Sequence, residues 1–362
     1  KDIGVDQTSQ DAGKRFGATM NVYSVTTGTY LRNDLGESAI TVDLTDGLTP
    51  IVYNDSKKTW EVADISTDWY DYSNQKWANA VIGVTLLFSN ILMLIANIIN
   101  TPIEKAINRY YYNDAKRIIE SNKNLIIIGV TGSFGKTSTK NFLYRVLSEK
   151  YNVLMTPGNF NTTLGVVRTV REHLKPHHEV FIVEMGAKQR GDIKEICDLV
   201  CPQMGIVTSV GEMHLETFGS VENVARTKFE LIDALPAGGF GIVNIDSEAA
   251  LNHIKANGIR VKTYAIDSCE ADYRATDIAY STQRTTFSVE HGTAKDADYA
   301  THLLGRGNIL NITAALAIAE KMGVTLEARR RGVKQIEQVE HRLSMRTSGG
   351  ITILDDAYNS NP

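Results

Sequence analysis

Three cysteines in 362 residues exclude a disulfide-stapled scaffold. Cys197 and Cys201 stand one helical turn apart, but no second Cys or His pair lies near them at zinc spacing. They read as reduced thiols of the core. The net charge is only −4, so the chain lacks the global footprint of a nucleic-acid binder, and no nucleic acid is expected as a partner. Hydrophobic residues at 43% and charged residues at 22% exclude wholesale disorder. There is no internal repeat and no initiator methionine. The chain opens on Lys1 and stops at Pro362 after an apolar run and a turn-like Asn-Ser-Asn-Pro, so both ends are expected to be cuts in a longer chain.

The length accommodates two or three domains of roughly 100–200 residues each. Residues 1–76 are rich in Thr, Ser, Asp and Tyr, and acidic side chains outnumber basic ones. Short alternating stretches such as Thr41–Leu44 and Thr49–Tyr53, bounded by Gly, Asn and Asp, predict a small β-rich or partly disordered region with no catalytic constellation.

Charge is missing altogether from 77–103. Within that stretch Val81–Ile99 is mostly Val, Ile, Leu, Phe and Met, close to the roughly 20 apolar residues that a bilayer-spanning helix needs. Ser89, Asn90 and Asn97 are polar, and the alternative is a buried or interfacial helix. A basic helical linker, 104–124, follows with Lys105, Arg109, Lys116 and Arg117, and Tyr110–Tyr112 suit an interface. The positive-inside tendency then places everything after 104 in the cytoplasm and 1–76 outside. Without a span, the whole chain is expected to be cytoplasmic. An internal run of this length is not a cleaved signal peptide.

From Leu125 the texture changes. Strand-like runs at Leu125–Val130, Asn152–Met155, Val180–Glu184, Met204–Val210, Gly241–Ile245 and Val261–Ile266 alternate with helical patterns such as Lys136–Glu149 and Ser220–Ala234. This predicts an α/β fold with a mainly parallel sheet covered by helices. Residues 271–303 alternate as antiparallel strands do, and Asn308–Met322 reads as an Ala-rich helix.

The first strand runs into Thr131-Gly132-Ser133-Phe134-Gly135-Lys136-Thr137-Ser138 and then a helix. Strand, Gly-rich loop and helix form a phosphate-binding P-loop. Backbone amides approach phosphate oxygens at a helix N-terminus, Lys136 reaches the outer phosphates, and Thr137 is suited to Mg²⁺. ATP and Mg²⁺ are therefore the expected cofactors. The strict Walker spacing asks for Gly at 130, where Val stands, with Gly129 one residue early. Glu184 ends an apolar strand and so faces the ligand crevice of such a sheet, unless it is a surface residue. His214 follows the strand Met204–Val210 to the same edge. A P-loop transport or signalling ATPase would show a strand ending in Asp, whereas here Glu184 is followed by Met-Gly-Ala.

The phosphate loop Gly129-x-x-Gly132-x-x-Gly135-Lys136-Thr137, the Glu184-Met185-Gly186-Ala187 block and the His214-Leu215-Glu216-x-Phe218-Gly219-Ser220 block resemble the Mur ligase superfamily. The resemblance covers residues 104–362. It implies an ATP-binding central domain over 125–346 and the start of a C-terminal domain or linker at 347–362, whose remainder is missing. It also implies that Glu184 and His214 bind magnesium, and that Lys228, fourteen residues after His214, is carbamylated into an anion near the metals. Such a carbamate oxygen suits Mg²⁺, whereas an ammonium repels it. Catalytic roles are thus implied for Lys136, Glu184, His214 and Lys228.

By the same resemblance Asn308 packs on the adenine, Arg342 contacts phosphate and Asp356 lies near the ribose. Asn159, Asn161 and Thr162 belong to the substrate loop, in which Thr162 replaces an expected Asn and Val167 an expected Pro. The superfamily's usual sugar-nucleotide domain is replaced ahead of the loop by the apolar segment. The segment Asp355–Pro362 is similar to the branch that adds D-alanyl-D-alanine. A UDP-linked muramoyl peptide and D-alanyl-D-alanine are the implied substrates, with ATP forming an acyl phosphate. The rivals are another Mur-type ligase, acting on a polyglutamate or lipid-linked precursor, and a nucleotide-binding scaffold without turnover.

Overall fold

A computed structural model describes residues 29–31, 40–42, 51–54, 59–62, 72–213, 215–281, 284–339, 344–348 and 351–355. The chain divides into two compact units, Lys1–Asn100 and Thr101–Pro362. In the first, β1 (Thr29–Leu31) pairs antiparallel with β2 (Ile40–Val42), and β3 (Ile51–Asn54) with β4 (Thr59–Val62). These overlap the alternating stretches read from the sequence. The rest of 1–71 lies outside the described residues.

Helix α1 runs continuously from Tyr72 to Ser121 with Pro102 inside it. The expected apolar helix and the basic linker are therefore one element. From Val81 to Ile99 its described side chains are exposed on every face, with Met93, Ile98 and Val81 more than 60% accessible. A helix apolar all round needs an apolar surrounding on all sides. Among the described residues no helix is long and apolar enough to cross a membrane, so the span expected at 77–103 is not supported as such. Within the run Ser89, Asn90 and Asn97 are polar.

The second unit is built on a nine-stranded sheet. Seven strands run parallel in the order β11-β10-β9-β8-β5-β7-β6, and β12 and β13 extend it antiparallel beyond β11. Parallel strands need cover on both faces and read as unbroken apolar runs. Accordingly, β5 (Ile126–Thr131) and β7 (Val180–Glu184) are buried almost throughout. Successive side chains point to opposite faces. Ile128 and Val130 of β5 join Phe142, Leu143 and Val146 of α2 (Lys136–Leu147). Helices α8 (Arg306–Lys321) and α9 (Leu326–Lys334) complete that core. Ile127 faces the other way, toward α3 (Thr163–His173), α4 (Asp192–Val200) and the end of α1 at Ala115 and Ile119. Gly129 belongs to this packing. A Cβ there would meet Leu231 of α6 (Val221–Asp233) at 2.5 Å, so this glycine admits a helix, not a phosphate.

The strands β6 (Val153–Met155), β8 (Met204–Val207), β9 (Phe240–Asn244) and β10 (Lys262–Ala265) fall within a residue or a few of their expected bounds. In the stretch read as antiparallel, β11 (Tyr273–Tyr280) pairs antiparallel with β12 (Thr285–His291) and β12 with β13 (Ala294–Thr301), while the other edge of β11 pairs parallel with β10. Strands β14 (Ser344–Ser348) and β15 (Ile351–Asp355) form one hairpin, and the expected division after residue 346 falls inside β14. Of the two thiols read as core residues, Cys197 is buried and its pKa is pushed up to about 12 by burial. Cys201 is exposed: it caps α4 in the left-handed conformation and so leaves the helix's buried face.

Candidate active site

Strand order reverses at β5. Its parallel neighbours are β7 on one side and β8 on the other, so a crevice opens at the C-terminal ends of the three strands. The loop after β5 turns at Gly132, whose φ of 146° and close neighbour (Thr208 Oγ1, 2.0 Å from a built Cβ) admit no side chain. Residues leaving β8 brace the loop. Ser133 N donates to Ser209 O at 2.7 Å, Phe134 N donates to Ser209 Oγ at 3.0 Å, and the Thr208 hydroxyl donates to Phe134 O. The Lys136 ammonium lies back over its own loop, donating to Gly132 O (2.8 Å) and Ser133 O (3.0 Å).

Glu184, 1% exposed at the end of β7, is the point on which three other segments converge. Its Oε1 accepts from Thr137 Oγ1 and from Asn161 Nδ2, each at 3.2 Å. Its Oε2 meets the Lys140 ammonium at 3.0 Å, and among the described residues accepts no hydrogen bond. Its own amide donates to Thr156 Oγ1 at 3.1 Å. Lys140, equally buried, also donates to Gly158 O at 2.6 Å. A buried carboxylate left without its cation typically costs about 3–5 kcal/mol, so this pair is a condition of keeping Glu184 charged in place.

Helix α6 starts at Ser220, whose hydroxyl caps Asn223 N at 3.2 Å, and two turns later it carries Lys228. Lys228 is 4% exposed, and burial, aided by the Lys136 ammonium, lowers its pKa to about 7. A cavity of about 1010 Å³ joins these groups, with Lys136, Thr137, Glu184, Lys228, Asn159 and Asn161 in its wall.

Of the residues singled out in the sequence, Gly132, Ser133, Phe134, Gly135 and Thr162 also line this cavity. Thr162 spends its hydroxyl on capping α3, accepting from Gly165 N at 3.3 Å. Ser138 is buried and Asn308 turns back to Leu304 O at 2.7 Å, and neither reaches the cavity. Asn311, one turn along α8, takes the position against the loop. A Cβ on Gly135 would meet its Oδ1 at 2.7 Å. His214, Arg342 and Asp356 lie outside the described residues.

Two residues escaped the sequence reading. Lys140 stands four residues after Lys136, which puts both on one helix face; that spacing was its only signal. Arg109 of α1 also lines the cavity, although it read as part of a linker. Among the described residues no group of three His, Cys, Asp or Glu is placed to hold a metal. The Thr137 hydroxyl and the Glu184 carboxylate, 3.2 Å apart, are hard oxygen donors that fit Mg²⁺ when phosphate and water complete the shell.

The described model of the Mur ligase middle domain matches residues 130–319. This chain belongs to the Mur ligase family. Curated relatives include the UDP-N-acetylmuramoyl-tripeptide–D-alanyl-D-alanine ligases of Escherichia coli K12, 34% identical over 237 residues, and of Bacillus subtilis 168, 32% identical over 237 residues. Each alignment takes in 65% of this chain, which spans about half the length of these relatives, 52% and 50% respectively. Among solved Mur ligases, MurF from Acinetobacter baumannii superposes with a TM-score of 0.65 at 28% identity, covering 70% of this chain and 55% of that one. The Thermotoga maritima MurF ligase in complex with ADP gives 0.63 at 27% identity, over 70% of this chain and 58% of that one. The family match begins at Val130, where β5 hands over to the phosphate loop, and ends inside α8.

Proposed function

We propose that this chain carries the ATP-binding core of a ligase that adds D-alanyl-D-alanine to a UDP-N-acetylmuramoyl-tripeptide through an acyl phosphate. The observation that carries the reading is the convergence of Thr137, Asn161 and Lys140 on Glu184, beside the phosphate loop and the buried Lys228. The names of the curated relatives supply the substrates, and the ADP-bound Thermotoga ligase supplies the nucleotide class.

In this reading the loop amides of 132–138, at the N-terminus of α2, bind the phosphates. Lys136 exchanges its carbonyl contacts for a phosphate oxygen and stabilises the charge that develops during transfer, as preorganised cations do. Mg²⁺, when bound, neutralises charge on the transferring phosphate. Thr137 and Glu184 would hold it, with His214 assigned by resemblance. Lys228, with its pKa lowered to about 7, offers the neutral amine that CO₂ requires, and a carbamate would turn a buried cation into a further anionic oxygen ligand. Asn159, Asn161 and Thr162 would meet the acceptor peptide. Asn308, Arg342 and Asp356 keep their nucleotide roles by resemblance alone.

The exposed apolar surface of Val81–Ile99 supports membrane attachment through α1, with the ligase unit on the cytoplasmic side. It also favours a second reading of the acceptor, as a lipid-linked precursor of the same chemistry. The test is ADP release by the full chain given ATP, the UDP-linked tripeptide and D-alanyl-D-alanine. Release that requires all three is expected. Nucleotide binding without release under any acceptor would reduce the chain to a scaffold.

A further inference from the structure

Part of the cavity wall is built by α1. Lys105, Asn108, Arg109 and Tyr112 all line it. Their spacing of i, i+3, i+4 and i+7 sets them on one helix face, along about 10 Å of helix axis. That half of α1 is fixed to the unit it lines. Ala115 and Ile119 are buried in the core, Asp114 pairs with Arg171 at 2.9 Å, and the Arg171 guanidinium lies 4.2 Å over the Tyr111 ring.

The charges on this wall are unbalanced. Among the described residues, neither Lys105 nor Arg109 has a salt bridge or side-chain hydrogen bond. Among the described residues the cavity carboxylates Asp192 and Glu195 form no salt bridge with either cation and take their hydrogen bonds from neutral donors. Asp192 accepts from the amides of Lys188 and Gln189 at 2.8 and 3.0 Å, and Glu195 accepts from the Thr163 hydroxyl at 2.8 Å. The phosphate loop, with Lys136, contributes a cationic element from another segment to the same cavity.

We infer that Lys105 and Arg109 form an acceptor-binding site for a phosphate or diphosphate group, distinct from the site of the nucleotide phosphates. An Arg fork and a Lys point charge one turn apart match such a group, and Asn108 and Tyr112 add neutral polar contacts beside it. The inference rests on the ligase reading for the acceptor's identity but not for the anion site itself. The acceptor lies between α1 and the 159–162 loop with its carboxylate toward Glu184 and its phosphate toward α1. Two sources carry that phosphate, a soluble UDP-linked peptide and a lipid-diphosphate-linked one.

The experiment compares the full wild-type chain with Lys105→Ala/Arg109→Ala and with Arg109→Lys. Both side chains are exposed, so the variants keep the fold. ADP-saturated protein is titrated with inorganic pyrophosphate, and ADP release is measured with the UDP-linked peptide in solution and the lipid-diphosphate peptide in vesicles. The double variant is expected to bind pyrophosphate at least tenfold more weakly and to raise the KM for one acceptor by a similar factor, with the KM for ATP unchanged. Arg109→Lys falls between. The acceptor whose KM rises identifies the source. Unchanged pyrophosphate affinity and unchanged KM for both acceptors overturn the inference, as does an equal loss of ATP affinity. Wild type that binds pyrophosphate through these residues yet never releases ADP overturns the ligase reading and leaves the anion site standing.

Discussion

Lys140 and Lys228 are two buried lysines with opposite electrostatic situations. Lys140 has its counter-charge in Glu184 at 3.0 Å. Lys140→Met removes that charge while keeping the bulk, and is expected to destabilise the chain by about 3–5 kcal/mol in urea unfolding, because Glu184 is left buried and alone. A loss under about 1 kcal/mol would mean that Glu184 is satisfied without it. Lys228 has burial and Lys136 against it, and its pKa lies near 7 instead of 10.5. The sign follows. The unfavourable burial of its ammonium is fully present below about pH 7 and fades as pH rises toward the unfolded value, so this site stabilises the fold more at alkaline than at acid pH. The CO₂-reactive amine predominates above about pH 7. A carbamate carbon signal from labelled bicarbonate should therefore weaken as pH falls through that value, and vanish in Lys228→Ala together with turnover while ATP still binds. Turnover near that of wild type in Lys228→Ala would leave the lysine a structural residue. The role proposed for Lys228 rests on the resemblance, and its burial was not legible, since a lysine on a helix ordinarily reads as solvated. Lys140 had no signal but its spacing from Lys136, because its partner lies 44 positions away on another strand.

At the scale of elements, the apolar runs at β5 and β7 located the sheet centre because parallel strands are buried on both faces and leave no alternation to misread. The antiparallel pairing of β11 with β12 was legible, but its parallel pairing with β10 was not. Alternating polar composition marks a half-exposed strand, whereas its parallel pairing with β10 is a property of the chain crossing. The length of α1 was hidden by Pro102 and by the change of texture beside it. The phosphate loop depends on Gly132, where a methyl group meets Thr208 Oγ1 at 2.0 Å. Gly132→Ala should cost at least about 1–2 kcal/mol for the positive φ alone, and should weaken ADP binding strongly by displacing the loop from Ser209. Calorimetric titration reads the second effect. Unchanged ADP affinity would show that this loop does not hold phosphate.

For the whole molecule, the exposed apolar side chains from Val81 to Ile99 form a surface that a bilayer or a protein contact would cover. If α1 inserts in a bilayer, alkaline carbonate leaves the full chain in the membrane pellet, and replacement of Ile91 and Leu94 by Glu releases it. Complete release of the wild type would assign this surface to a peripheral or protein contact. A different kind of unity comes from the Lys140 ammonium. It touches Glu184 from β7 and the Gly158 carbonyl of the loop at 158–161 while riding on the helix that follows the phosphate loop. Three segments that share one cation cannot relax one at a time. A ligand that shifts α2 should therefore shift the loop at 158–161 with it. Amide exchange at 158–161 should slow when ADP is added to the chain alone, and exchange there that ignores ADP would mean that the loop moves independently of its shared cation.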